Sequence, residues 1–384
     1  MRRFSLRGGY FRHAIYRRYS LDQVRKIYTP GPVTIAKHLL DIGAKQPPYN
    51  RTDEFSQLTL EILSSLKYIF QTNGEVALLT GSGTLAMEAA VLNFLTPSDH
   101  VIVVSGGSFG QRWCDLCKIH AIPFREIKLE AGADLDLDLL RKTCKEGKYS
   151  AFLINAHETS TGQLYDVQAI GEVVRDFGLF FIVDAISSIC ADPFQMDDWH
   201  VDVTILSSQK AIALPPGLSF VAMGTRARAR LRDITPKSLY LNLQDYLTNQ
   251  ERGQVPFTPA IGLFLQLHQR LSDIQQRTLT GIIAHHAQRS SDFRGAISDL
   301  PFRILPARQS NAMTALICED TDAVDVVHHL QTHHAIEVAP SGGALKHKLI
   351  RISHMGVQDS SDIDFVVTAL ADAVQPHVVE RSSI

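Results

Sequence analysis

The sequence has no run of about eighteen consecutive apolar residues, the length a membrane-spanning helix needs, and its start has no apolar core of secretory type. Neither sign of charge prevails: 38 Lys and Arg stand against 40 Asp and Glu, a formal net charge of -2. No broad basic surface is available for nucleic acid, so a small ligand is expected instead. Cysteine is scarce, with Cys114, Cys117, Cys144, Cys190 and Cys318 making an odd number without framework spacing. That usage suits a reducing compartment, and a cytoplasmic location is expected. Cys114 and Cys117 form a C-x-x-C, but no second pair or clustered histidines complete a zinc set, so they read as neighbours one helical turn apart. No internal repeat or low-complexity tract appears.

What is present is an ordinary globular composition. The chain has 384 residues, 45% hydrophobic and 20% charged, enough for one large core and a smaller companion domain. Its first twenty residues, MRRFSLRGGYFRHAIYRRYS, contain six arginines and no acid. Such a start is either an organelle transit peptide or an arm lying on a partner subunit, and the arm is the reading taken.

From residue 76 short apolar runs alternate with helix-like segments. The runs are VALLT (76–80), VIVVS (101–105), AFLIN (151–155), FFIVDA (180–185), VTILS (203–207) and SFVAM (219–223). Each is nearly continuous in apolar residues, as strands buried on both faces of a mostly parallel sheet must be. Between them TLAMEAAVLNFL and VQAIGEVVRDFG repeat their apolar residues at helical spacing. The alternation predicts a doubly wound α/β domain whose ligand lies at the carboxyl ends of the strands.

Four strand ends carry polar residues. GSGTLAMEAA follows the first run, and its glycines and helix start form a turn able to hold a phosphate. AHETSTG follows AFLIN, with adjacent hydroxyls on Thr159 and Ser160. FFIVDAISS ends in Asp184, and VTILSSQK leads to Lys210. Singly, each has an ordinary explanation: a tight turn, a helix cap, a lysine reaching solvent. Together they match one cofactor. Pyridoxal phosphate wants a helix N-terminus for its phosphate, a carboxylate for its pyridine nitrogen and a lysine amine for its aldehyde.

GSGTLAMEAA, SFGQRW, HETSTG, FIVDAISS, SSQKAIALPPG and RISHMG also carry a family likeness. In order and spacing, from YTPGPV onwards, the chain resembles the class V aminotransferases of the fold-type I pyridoxal phosphate enzymes. It is most similar to the alanine–glyoxylate and serine–pyruvate branch, with 2-aminoethylphosphonate–pyruvate aminotransferases as close relatives. The resemblance implies a Schiff base on Lys210, a ring-nitrogen partner in Asp184, and phosphate contacts from Ser82, Gly83, Thr84 and Gln209. It implies that Phe109 stacks on the ring and Thr159 bonds its phenolic oxygen. Thr258 matches a residue contributed across a homodimer interface, so that sites would be shared; three residues earlier this chain has Val255 where some relatives have tyrosine. Arg351 falls where the family binds the substrate carboxylate, and its planar fork suits that role. Gly31 and Pro32 would lie against the substrate, the missing side chain leaving room for a small amino acid.

The expected architecture is a basic arm over residues 1–21, a large cofactor domain over 22–282 and a smaller C-terminal α+β domain over 283–384. The pairs His285–His286, His328–His329 and His333–His334 lie on helical, polar segments, so adjacent members face apart and read as solvated. His157 either lines the entrance or is an ordinary loop histidine. The expected activity moves an amino group from a small amino acid, of alanine or serine type, to glyoxylate or pyruvate in ping-pong fashion, Lys210 acting as general base. An aminophosphonate substrate stays open and would want a second cation, for example Arg51 beside Arg351. A desulfurase-type lyase is disfavoured because Cys318 reads as strand. A non-catalytic module on the same fold is opposed by the retention of Lys210 and Asp184.

Overall fold

The computed structural model describes residues 25–374. The basic arm expected over residues 1–21 lies outside the described residues.

All six apolar runs form strands of one seven-stranded sheet. Its order is Glu75–Thr80, Leu218–Met223, Val203–Ser207, Phe180–Asp184, Ala151–Asn155, Val101–Ser105, Phe124–Lys128. Leu218–Met223 is antiparallel to both neighbours, and the remaining pairs are parallel. Helices cover the sheet, and the interior strands are buried at every residue, which is why they read as unbroken apolar runs. Phe152, Phe181 and Phe220 are fully buried there, each contributing on the order of 1.5–3 kcal/mol. The seventh strand, Phe124–Lys128, was not legible as one. It sits at the sheet edge, where Ile127 alone of its residues is buried.

The C-terminal unit is a four-stranded antiparallel sheet in the order Phe302–Ile304, Met313–Cys318, Leu349–Ser353, Ala339–Pro340. Helices Ala323–His333 and Ser360–Val374 pack with it around a second apolar core. Two features revise the expected boundaries. Lys26–Ile27 pairs in parallel with Ile336–Glu337, and Tyr28 belongs to the second core, so the start of the predicted large domain packs with the small one. Helix Leu279–Ala296 runs through the boundary expected at residue 282, burying Leu279 and Ile282 in the first core and Phe293 in the second. Among the described residues no helix is long and apolar enough to cross a membrane.

Candidate active site

Parallel central strands bring their carboxyl ends to one edge, and the register places Asn155 opposite Asp184 there. Asp184, 5% exposed, accepts from Asn155 Nδ2 at 2.8 Å and from the Ile186 amide at 2.9 Å. Burial raises its carboxyl to about 7, Glu158 adding to the rise while the Ile186 amide, Arg112 and Lys210 oppose it. A buried acid in that condition calls for a cation.

Lys210 follows the Val203–Ser207 strand, is 8% exposed, and donates from Nζ to the Pro30 carbonyl. Burial, with the field of Arg351, lowers its amine to about 8 against the pull of Asp184. Gly31 makes this placement possible. It has φ +129°, and a Cβ there would lie 2.6 Å from Lys210 Cδ and 2.9 Å from Nζ. The room expected for substrate is occupied by the lysine stem.

Asp184 and Lys210 line one cavity of about 240 Å³ together with Gly31, Ser82, Gly83, Thr84, Phe109, Thr159 and Gln209. Ser82 caps helix Gly83–Phe94 with no side-chain bond, so the first amides of the helix stay available to an anion. Gly83 lets that turn approach the sheet: a Cβ on it would meet Ile186 Cδ1 at 2.4 Å. Around the cavity Gln209 Oε1, Asn155 Oδ1 and His157 Nε2 are buried without a partner among the described residues. Thr159 Oγ1 bonds Ser187 Oγ at 2.7 Å, and His157 Nδ1 bonds the Ser187 carbonyl oxygen at 3.1 Å. Burial pushes the His157 imidazole down to about 4, so it is neutral. A phosphate turn, partnerless polar atoms, an acid in need of a cation and a near-neutral amine fit a flat, phosphorylated heterocycle.

Arg351 lies on strand Leu349–Ser353 and donates to the Thr159 carbonyl at 3.0 Å and the Pro340 carbonyl at 2.7 Å, its Nε being buried and partnerless. It borders a wider opening of about 590 Å³, and Phe109 lines both this opening and the cofactor cavity. Glu158, 1% exposed, was missed in the sequence. Its carboxylate accepts from the amides of Phe109 at 3.3 Å, Gly110 at 2.7 Å and Ser160 at 3.1 Å, fixing the start of helix Ser108–Ile119 and with it Phe109. An acid in a polar turn after a strand was a visible signal, but its target lies 49 residues away.

Comparison with known proteins decides the lineage. The family model for aminotransferase class V matches residues 46–366. The chain belongs to the class V aminotransferases. It is 27% identical over 365 residues to alanine–glyoxylate aminotransferase of Felis catus, covering 91% of this chain and 88% of that protein. It is 32% identical over 347 residues to a Synechococcus protein named soluble hydrogenase, small subunit, covering 89% of this chain and 90% of that protein. The solved structure of alanine–glyoxylate aminotransferase from Nostoc sp. superposes with a TM-score of 0.88 at 27% identity, covering 94% of this chain and 98% of that one. The fold is fold-type I, the cofactor is pyridoxal 5'-phosphate, and the enzyme is a transaminase.

Other expectations for this class V aminotransferase resolve elsewhere. Thr258 is exposed and outside its own chain's cavity, while Val255 is buried. Arg51 is spent on Gln254 Oε1 at 3.0 Å and the Val255 carbonyl at 3.1 Å, in a different cavity from Arg351. The histidine pairs are not simply solvated. His286 is buried with Nδ1 2.9 Å from the Ile282 carbonyl oxygen, and His285 Nε2 lies 2.7 Å from Arg289 Nη2. His329 and His334, from different pairs, converge on Asp372 Oδ2 at 2.8 and 2.9 Å, while the adjacent His285 and His286 rings meet edge to face. All five cysteines are buried, and burial pushes the Cys114, Cys117 and Cys318 thiols up to about 12, which leaves them unreactive.

Proposed function

We propose that this transaminase moves the amino group of a small amino acid, of alanine or serine type, to glyoxylate or pyruvate in two alternating half-reactions. The observation that carries this reading is Arg351: its guanidinium, held on the Thr159 carbonyl beside the wider opening that shares Phe109 with the cofactor cavity, suits one carboxylate. The relatives named alanine–glyoxylate and serine–glyoxylate aminotransferase support it, the latter from Arabidopsis thaliana at 28% identity over 341 residues. An aminophosphonate is less well served, since Arg51 lies in another cavity. We further propose a homodimer in which Thr258 reaches the partner's site, and a cytoplasmic location in keeping with the unpaired cysteines.

Pyridoxal phosphate, when bound, supplies an aldehyde to carry the amino group and a ring that withdraws electrons from the substrate α-carbon. Ser82, Gly83, Thr84 and Gln209 would hold its phosphate, Phe109 its face and Asp184 its ring-nitrogen proton. Arg351 orients the substrate carboxylate so that the α-carbon faces Lys210. The Lys210 amine would take the substrate α-proton at Nζ and give it back later in the same half-reaction. An amine held at about 8 is able to do both near neutral pH.

The test is the isolated half-reaction. The loaded protein is mixed with alanine, serine, aspartate or 2-aminoethylphosphonate, and loss of its visible absorbance is recorded, with Lys210→Ala as the inert control. Alanine or serine should react fastest. Preference for aspartate or the aminophosphonate would reject this substrate reading.

A further inference from the structure

We propose that Arg112 supplies the positive charge that balances the cofactor's phosphate. A phosphate ester carries about -1.5 to -2 charge near neutrality. Among the described side chains lining the cavity, Lys210 and Arg112 are the cationic ones, His157 being neutral. Lys210 serves the aldehyde end, and Ser82, Gly83, Thr84 and Gln209 bring hydrogen bonds but no charge. Arg112 remains.

Its position fits. It follows Phe109 by three residues on helix Ser108–Ile119, and its guanidinium carbon lies 5.1 Å from the Phe109 ring centroid. Nη1 donates to Thr84 Oγ1 at 2.7 Å, tying the ring-stacking residue to the phosphate turn. Among the described residues it forms no ion pair with a carboxylate, and its planar fork keeps N–H donors for an anion. Its field also reaches both reactive groups, lowering the Asp184 carboxyl and the Lys210 amine from the values burial alone would give. A surface arginine resting on a phenyl ring would explain the stacking, but not the bond to the phosphate turn.

The inference rests on pyridoxal phosphate being the cofactor, and the test separates the two. Full-length protein freed of cofactor is titrated with pyridoxal phosphate and, separately, with pyridoxal, which lacks the phosphate; binding is read from the visible absorbance. Arg112→Gln should weaken pyridoxal phosphate about tenfold or more beyond any change in pyridoxal affinity, the loss of one charge-assisted contact to the phosphate. Arg112→Lys, which keeps the charge, should recover part of the loss. Retained pyridoxal binding also shows that the variant is folded. Equal weakening of both ligands would mark Arg112 as structural and overturn the proposal, as would no change in either. A parent protein that gives no absorbance with either ligand would overturn it together with the cofactor assignment.

Discussion

Replacing Asp184 by asparagine should move the stability of the cofactor-free protein and the activity of the loaded one in opposite directions. The carboxyl rises from its ordinary 3.8 to about 7 because burial penalises the ionised form. At about 1.4 kcal/mol per tenfold change in proton affinity, ionised Asp184 costs the cofactor-free fold roughly 4 kcal/mol. Because the folded-state value is the higher one, that cost is absent below pH 3.8, grows as the pH rises, and is complete above about 7. Asp184→Asn removes the charge but keeps an acceptor for the Ile186 amide. Its new amide donor replaces the oxygen that faced Asn155 Nδ2, and it meets Asn155 Oδ1 once the Asn155 amide turns over. The cofactor-free variant should therefore melt several degrees above the parent at about pH 8 and close to it at about pH 4. With cofactor bound the order reverses, since the ring nitrogen loses its anionic partner, and turnover should fall by roughly 10²–10³. Thermal melts across this pH range, with and without cofactor, check both halves. A cofactor-free variant less stable than the parent at the higher pH, or a difference that does not change with pH, would refute the reasoning that Asp184 is held for a cation.

Gly31→Ala puts a methyl 2.6 Å from Lys210 Cδ at a backbone φ of +129°, so Lys210 should be driven from its position. The visible absorbance of the loaded protein should fall sharply while unfolding shifts by about 1–3 kcal/mol, read from spectra and melts on one sample. Arg351→Gln should lower kcat/KM for alanine or serine by about 10–100-fold, mostly through KM, with cofactor affinity unchanged; steady-state kinetics and a cofactor titration separate the two.

Much of the large sheet was open to reading along the chain. VIVVS, AFLIN and VTILS are unbroken apolar runs because both faces of their strands are covered, and a buried strand leaves no other pattern. Phe124–Lys128 escaped notice because an edge strand needs no such run. Histidine pairs misled for a related reason: spacing along a helix tells which faces residues occupy, not what packs there. His286 meets a buried face, while His334 turns towards Asp372 on another helix.

Local pattern along the chain showed six strands of the large sheet, two of the helices between them and the polar residues at the strand ends, since burial periodicity is a property of neighbours in the chain. It also held Asp184 and Lys210 as a pair with one chemical purpose. Only the tertiary structure decided that Asn155 stands beside Asp184, that Glu158 sets Phe109, that Arg112 reaches the phosphate turn and that Gly31 clears space for Lys210. These contacts join residues from 28 to 179 positions apart, and which of them meet is fixed by strand order and helix packing rather than by any local pattern.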